Sequence, residues 1–174
     1  CGLFLDHRPV RNKIAQMAKG QRFLNLFCYT ATASVHAALG GARFTVSVDM
    51  SNTYLTWARK NYALNGLGEA RNRLEQADCT QWLKKCEQTF DLILLDPPSF
   101  SNSKKMEDVL DIQRDHVELI QDSMKILEPG GTLIFSNNLR SFKLDAESLA
   151  DFVVEDITSS TLDQDFQRNS KIHQ

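Results

Sequence analysis

The chain has 174 residues, of which 42% are hydrophobic and 24% are charged, and its formal net charge is −2 at pH 7. This length and composition predict one globular domain, spanning residues 1–174, with a sizeable core. No apolar run approaches the ~20 residues that span a membrane, and the charges spread through residues 1–20 exclude a signal peptide. The slightly acidic total argues against tight RNA binding by this chain alone, so a nucleic-acid enzyme of this composition needs a local basic patch or a companion domain.

The four cysteines indicate a reducing compartment. Cys1, Cys28, Cys79 and Cys86 do not show metal-ligand spacing, so the sequence predicts no metal site. Cys28 and Cys79 lie in apolar or strand-end segments, which predicts free thiols in a cytoplasmic protein.

Helix-like and strand-like segments alternate along the chain, which predicts an α/β fold: a mostly parallel twisted sheet with helices on both faces. The predicted helices are residues 8–19, 31–39, 51–65, a short segment around Trp82, 107–127 and 145–152. The predicted strands are residues 23–28, 44–48, 72–77, 90–95 and 132–136, with two weak final strands after Val153 and a polar loop at 99–105. Both ends of the sequence are abrupt, which predicts a domain excised from a longer protein.

Polar residues follow four of the predicted strands, where open α/β sheets bind their ligands. Asp49 ends the second strand, where an acid can accept hydrogen bonds from both hydroxyls of a ribose. Asp78 follows the third strand and can accept a hydrogen bond from an adenine amino group. The turn from Asn25 to Thr30 then faces the polar tail of the ligand. Any one aspartate alone is explained as a helix N-cap, but three at successive strand ends favour an adenosine-containing cofactor.

The first turn separates two classes of enzyme. Residues 25–33 contain no Gly-x-Gly-x-x-Gly pattern, which argues against a site for the pyrophosphate of a dinucleotide. S-adenosylmethionine has no phosphate, so the sequence favours a methyltransferase over a dehydrogenase.

Asp96-Pro97-Pro98-Ser99-Phe100 is the most specific local pattern. Two consecutive prolines end the strand and fix the backbone, so the Asp96 carboxylate has a set direction. Phe100 offers a ring on which a flipped base can stack. The alternative is a plain strand end followed by a core phenylalanine.

With Asp96-Pro97-Pro98-Ser99-Phe100, three other segments carry a family resemblance: Gly2 to Arg8, Asn25-Leu26-Phe27, and Gln113-Arg114-Asp115-His116. The chain resembles the C-terminal half of the bacterial bifunctional 23S rRNA guanine methyltransferases, which is similar to the 23S rRNA cytosine-C5 methyltransferases. The resemblance implies a Rossmann-like class I fold, S-adenosyl-L-methionine as cofactor and an N7-methylguanine product in 23S ribosomal RNA. It also implies an N-terminal half with an RNA-binding THUMP module and a second methyltransferase.

The resemblance assigns roles by position. The cofactor-binding residues it implies are Asp6, Arg8, Asn25, Phe27, Tyr29, Thr30, Ala31, Asp49 and Asp78. Asp96, Pro97, Pro98 and Phe100 are expected to line the base pocket as the catalytic set. Asp6 and Arg8 would close over the cofactor, and Arg8 can pair with its carboxylate. Ala31 departs from the glycine that is usual in the family, and a positive φ there costs ~1 kcal/mol.

Guanine N7 has a free lone pair and no proton, so the expected role of Asp96 is to orient the base through guanine N1–H and N2–H₂ rather than to remove a proton. Cytosine-C5 methylation is an alternative, but it needs a thiolate, and the cytosine-specific relatives carry a cysteine after the strand that here reads Phe135-Ser136-Asn137-Asn138. Methylation of an exocyclic amine and an inactive RNA-binding domain of the same fold are further alternatives.

Overall fold

The computed structural model describes residues 2–101, 110–163 and 165–166. The helices are α1 (Arg8–Met17), α2 (Thr32–Leu39), α3 (Asn52–Leu64), α4 (Cys79–Lys85), α5 (Ile112–Lys125) and α6 (Thr158–Thr161). The strands are β1 (Arg22–Leu26), β2 (Phe44–Asp49), β3 (Asn72–Gln76), β4 (Phe90–Leu95), β5 (Phe100–Ser101), β6 (Leu110–Asp111) and β7 (Leu127–Phe135).

Five of the strands form one parallel sheet in the order β3-β2-β1-β4-β7. The chain places β2 and β3 on one side of β1 and β4 and β7 on the other, so the strand order reverses beside β1. Leu26 at the end of β1 is in register with Val48 of β2 and with Leu95 of β4. The carboxyl ends of the three central strands therefore lie level at one edge, beside the reversal where such sheets bind ligands.

Apolar side chains cover both faces of the sheet, as a parallel sheet requires. Leu92 and Leu94 of β4 pack with α1 and α2. Ile93 and Leu95, the alternate residues of the same strand, pack with α4 and α5 on the opposite face. The predicted Rossmann-like α/β fold with helices on both faces is confirmed.

Local signals explain where several helices begin. The Ser51 hydroxyl accepts a hydrogen bond of 3.3 Å from the Tyr54 N–H, so Ser51 caps α3 as the sequence predicts. The Asp111 carboxylate caps α5 by accepting hydrogen bonds from the N–H groups of Gln113 and Arg114. This helix therefore begins later than the predicted residue 107, because Asp111 still belongs to β6.

Two other boundaries differ from the prediction. β7 begins at Leu127 rather than at 132, because Pro129-Gly130-Gly131 lies inside the strand, where the pairing with β4 shifts register. The predicted polar loop at 99–105 begins instead with β5, which pairs antiparallel with β6. Residues 102–105 lie outside the described residues.

The described residues of the C-terminal region differ from two predictions. Residues 146–151 form turns, not a helix, because their hydrogen bonds join residues three apart, as from Phe152 N–H to the Leu149 carbonyl at 3.0 Å. Among the described residues of the tail there is α6 and no strand, and the rest of the two predicted final strands, at residues 164 and 167–174, lies outside the described residues. Val153 is fully exposed, so the weak apolar alternation there does not correspond to a buried face. No helix in the described ranges is long and apolar enough to cross a membrane.

Candidate functional site

The three aspartates predicted from the strand ends lie along the carboxyl edge of the sheet. Asp49 is the last residue of β2, Asp78 follows β3 by two residues, and Asp96 directly follows β4. Since β1 lies between β2 and β4, Asp49 and Asp96 flank the loop that leaves β1. The sheet order thus brings together residues that are far apart in the sequence.

The loop after β1 has an unusual backbone. Phe27, Tyr29 and Ala31 have φ values of 57°, 51° and 55°, in the left-handed region that favours glycine. The Cys28 N–H donates to the Val48 carbonyl at 3.0 Å, which fixes the loop to the end of β2. Ala31 is the N-cap residue of α2 and is fully buried.

Asp49 organises this loop through its carboxylate. Its two oxygens accept hydrogen bonds from the N–H groups of Tyr29 at 2.9 Å and Ser51 at 2.8 Å. Burial raises the pKa of Asp49, and the two backbone hydrogen bonds oppose that rise. Each carboxylate oxygen has a second acceptor position, so the arrangement can still receive the hydroxyls of a ribose.

Asp78 is an N-cap, which was the alternative explanation for each acid. It accepts hydrogen bonds from the Thr80 N–H at 2.8 Å, the Thr80 hydroxyl at 2.6 Å and the Gln81 N–H at 3.3 Å. All three go to Oδ1, so capping α4 does not use Oδ2. The cap and an adenine contact are compatible in this geometry.

Two other predicted loop residues are buried. The Asn25 amide donates to the Ser34 hydroxyl at 2.9 Å, and Ser34 continues the chain of hydrogen bonds to Ser47 at 2.7 Å. Thr30 donates to the Gly2 carbonyl at 2.7 Å. These bonds fix the two ends of the turn, Asn25 to α2 and Thr30 to the start of the described chain.

Tyr29 connects the loop to the start of the chain. Its hydroxyl accepts a hydrogen bond of 3.1 Å from the Gly2 N–H. Its ring lies 5.1 Å from the ring of Phe4 and 4.6 Å from that of Tyr54, measured between centroids. These contacts hold residues 2–6 over the carboxyl edge of the sheet.

Asp96 faces a histidine that sequence reasoning did not single out. Asp96 Oδ2 lies 3.6 Å from His7 Nδ1, and the other ring nitrogen of His7 lies 3.4 Å from the Ser136 hydroxyl and 3.8 Å from Asp6 Oδ2. The cluster joins the start of α1 to the ends of β4 and β7. The family pattern around Asp6 was the only signal in the sequence that could have pointed to His7.

The segment after Asp96 presents one ring to solvent. Pro97 is buried and Pro98 is exposed, while 58% of Phe100 is exposed. The Ser99 carbonyl accepts a hydrogen bond of 3.2 Å from the Ile112 N–H, which anchors the segment to α5. An exposed aromatic ring on an anchored segment, four residues after Asp96, is suited to stacking on a base.

Arg8 points elsewhere. Its guanidinium pairs with Asp163 at 2.5 Å and with Asp165 at 3.4 Å, and 44% of its side chain is exposed.

A small cavity of 30 Å³ opens between α1 and the loop after β1, beside Asp96. Its lining residues are Phe4, His7, Val10, Arg11, Asn25, Phe27, Cys28, Tyr29, Thr32, Ala33, Leu94 and Asp96.

A larger cavity lies at the other edge of the sheet. It measures 720 Å³ and is lined by Arg43, Arg71 and Arg73 with Phe44 and Gln88, near the amino ends of β2 and β3. It does not include any of the predicted site residues.

In the described part of the chain, no group of three or more His, Cys, Asp or Glu side chains is placed to hold a metal ion.

Comparison with known families identifies the class of protein that has this fold and these three acids at the strand ends. Residues 1–166 match the family described as S-adenosylmethionine-dependent methyltransferase, and the chain belongs to this family. The resemblance found in the sequence and the predicted cofactor are confirmed at this level.

Two individual relatives are more specific than the family as a whole. The chain is 75% identical over 173 residues to the ribosomal RNA large subunit methyltransferase K/L of Cellvibrio japonicus and 64% identical over 172 residues to that of Saccharophagus degradans. Each match covers 99% of this chain but 23% of the relative, so the chain spans about a quarter of the length of these proteins.

Solved structures share the fold over the whole chain. One is a methyltransferase complexed with S-adenosylhomocysteine, with a TM-score of 0.82 and 29% identity. Another is a methyltransferase from Streptococcus mutans described as dependent on S-adenosylmethionine, with a TM-score of 0.77 and 28% identity. Both matches cover 99% of this chain and 48% of the other.

Proposed function

We propose that this chain transfers a methyl group from S-adenosylmethionine to N7 of a guanine in 23S ribosomal RNA. The observation that carries the proposal is the position of Asp96, which directly follows β4, one of the three central strands, and lines the cavity beside the loop after β1. Pro97 and Pro98 stiffen the backbone there, so the carboxylate is held in place before a base arrives. The close identity to ribosomal RNA methyltransferases supports the choice of substrate.

The cofactor supplies a methyl group on a positively charged sulfur. In the proposed arrangement, Asp49 accepts hydrogen bonds from the ribose hydroxyls and Asp78 accepts one from the adenine amino group through Oδ2. The loop contributes Asn25, Phe27, Tyr29, Thr30 and Ala31, and Asp6 comes from the segment before α1. Arg8 is paired with Asp163 and Asp165 and has no place in the proposed arrangement. The polar atoms observed at the carboxyl edge fit such a ligand, because Asp49 retains acceptor positions and is only partly buried.

Asp96, Pro97, Pro98 and Phe100 form the proposed base pocket. Guanine N7 already carries a lone pair, so the protein has to orient the base and exclude water rather than remove a proton. Asp96 can accept hydrogen bonds from guanine N1–H and N2–H₂, two donors that adenine does not present in this pattern. The exposed ring of Phe100 can stack on the base.

The alternative cytosine-C5 chemistry has less support. It requires a thiolate, and the residues after β7 are Ser136, Asn137 and Asn138. Burial raises the pKa values of the Cys28 and Cys79 thiols, which disfavours the thiolate form. Methylation of the exocyclic amine of guanine would need N2, which Asp96 is proposed to engage.

RNA binding needs positive charge, and the chain as a whole has a formal charge of −2. The cavity lined by Arg43, Arg71 and Arg73 concentrates three positive charges without an acid among its lining residues. We assign the remaining RNA affinity to a companion N-terminal half with a THUMP module and a second methyltransferase, since the relatives are about four times longer.

Cys28, Cys79 and Cys86 are unpaired, in keeping with the proposed cytoplasmic location.

The test uses the full-length protein, labelled S-adenosylmethionine and unmodified 23S ribosomal RNA, with the product nucleoside identified by mass spectrometry. N7-methylguanine formation that is lost when this chain is deleted supports the proposal. Methylcytosine or a methylated exocyclic amine in its place would contradict it. A chain that binds neither cofactor nor product would support the inactive-domain alternative.

A further inference from the structure

Arg11 is a buried cation in the second turn of α1. Only 5% of the residue is exposed. Its Nη1 donates a hydrogen bond of 2.6 Å to the Phe4 carbonyl, whereas Nε is buried without a hydrogen-bond partner. None of the ion pairs among the described residues includes Arg11.

Such a group is costly to bury. A guanidinium presents five N–H donors, and a buried charge is normally paired with an opposite charge. Burial lowers the pKa of Arg11, Asp6 opposes this effect, and Arg8 adds to it. The structure therefore contains a cation whose burial the described carboxylates do not compensate through direct contact.

Arg11 also lines the 30 Å³ cavity between α1 and the loop after β1. This volume is about what one water molecule occupies in the liquid, so it accommodates one small group of a ligand rather than a whole cofactor. Tyr29 and Asn25 line the same cavity, so it adjoins the loop that faces the polar tail of the cofactor. That tail carries a carboxylate, whose geometry matches the donor fork of arginine.

We propose that Arg11 binds the carboxylate of the cofactor's amino-acid tail. The assignment rests on the proposed cofactor site, and it differs from the sequence-based choice of Arg8. Arg8 is already paired with Asp163 and Asp165 and is far more exposed than Arg11. Arg11 lines the cavity and its Nε has no hydrogen-bond partner, and both observations favour Arg11 over Arg8.

Calorimetry with two ligands tests this. S-adenosylhomocysteine carries the carboxylate, and 5′-methylthioadenosine keeps the adenosine and the sulfur but lacks the amino-acid part. Arg11→Met should weaken S-adenosylhomocysteine by about 30-fold or more, the lower end for breaking a buried charge pair, and leave methylthioadenosine within about threefold. Arg8→Met, the matched control on the same helix, should leave both affinities within about threefold.

A second comparison does not depend on how the variant folds. The unsubstituted chain should bind the methyl ester of S-adenosylhomocysteine about 30-fold more weakly than the acid, because the ester has no charge to pair. Arg11→Lys, which keeps a cation, should show a smaller difference between acid and ester. Equal binding of acid and ester by the unsubstituted chain would overturn the proposal. So would an equal loss of both nucleosides in Arg11→Met with an unchanged melting temperature. If the unsubstituted chain binds neither nucleoside, the proposed function itself fails.

Discussion

The Asp49 carboxylate accepts a hydrogen bond of 2.9 Å from the Tyr29 N–H, which ties the end of β2 to the loop after β1. One side chain therefore shapes the loop and, in the proposed site, also holds the ribose. The raised pKa of this carboxyl group makes the second role sensitive to pH.

Affinity for S-adenosylhomocysteine should fall as the pH is lowered through the raised pKa of Asp49. The ionised carboxylate accepts hydrogen bonds from hydroxyls more strongly than the protonated acid, so binding needs the form that dominates above that pKa. Asp49→Asn should bind more weakly by about 1–3 kcal/mol and should not show this pH dependence. Calorimetry of both proteins across the acidic range measures the effect. Parallel pH profiles would place the ribose elsewhere.

Asp96→Ala should reduce methylation by about 100-fold or more, because a base held in the wrong position rarely reaches the methyl group. Binding of S-adenosylhomocysteine should stay within about threefold, since the cofactor contacts are assigned to other residues. Asp96→Asn, which keeps the shape and one acceptor, should retain more activity than Asp96→Ala. Single-turnover rates and calorimetry measure the two effects. Methylation at the parent rate would remove Asp96 from the base pocket, and loss of cofactor binding would move it to the cofactor site.

The left-handed conformation of Ala31 gives a prediction about stability. Ala31→Gly relieves about 1 kcal/mol of backbone strain but removes a buried methyl group worth about 0.8 kcal/mol, so the free energy of unfolding should change by less than about 1 kcal/mol. Ala37, also fully buried and in α2, is the matched control. Ala37→Gly loses helix propensity as well as the methyl group and should destabilise by about 2 kcal/mol. Urea unfolding that shows equal losses would contradict the strain at Ala31.

Arg22 joins three strands of the sheet, and this link predicts a pH-dependent stability. Its guanidinium contacts Asp91 of β4 at 2.7 Å and Glu128 of β7 at 3.0 Å. The hydrogen bonds from Arg22 hold the pKa of Asp91 below its usual range, so the ionised form stabilises the fold. Asp91→Asn should lower the free energy of unfolding by about 1–2 kcal/mol at neutral pH.

The difference between this variant and the parent should shrink as the pH falls below the ordinary carboxyl pKa of about 4 and through the lowered pKa of Asp91. Asp151→Asn, in an exposed turn, is the control, and its free energy of unfolding at neutral pH should stay within about 0.5 kcal/mol of the parent. A constant difference across the acidic range would mean that the Asp91 charge does not contribute to stability.

Charge reversal in the arginine-lined cavity tests its part in RNA binding. Arg71→Glu should weaken binding to ribosomal RNA fragments and lower the slope of affinity against salt, because fewer phosphate counterions are released. Lys60→Glu makes the same change of charge on α3, outside the cavity, and should have a smaller effect. Filter binding across a salt series compares the two. Equal losses would indicate that overall charge, not this cavity, attracts the RNA.

Much of the fold could be predicted from the sequence because the parallel strands are short apolar runs that end at polar residues. Asp49, Asp78 and Asp96 were placed correctly at the carboxyl edge for that reason. The prediction at residues 145–152 failed because helix-forming residues there make isolated turns that do not continue. The pattern of apolar residues does not distinguish a continuous helix from a series of isolated turns.

The rest of the candidate site depends on contacts that local patterns do not encode. His7 and Asp96 are 89 positions apart in the chain and meet because α1 packs beside β4. The backbone conformations of Phe27 and Tyr29 also escape sequence reasoning, because the usual signal for a left-handed residue is glycine. Arg11 is an ordinary helix residue by sequence, and only its burial sets it apart.

The use of tyrosine at a left-handed position has a consequence for order in the unliganded protein. A glycine at Tyr29 would let the loop sample many more conformations when unconstrained, and the entropy lost on fixing it would be larger. The Tyr29 side chain restricts the loop. Its ring also packs against Phe4 and its hydroxyl accepts a hydrogen bond from Gly2, so the loop and residues 2–4 become ordered together. A cofactor then meets a surface that is already assembled, and little of its binding free energy is spent on ordering the protein.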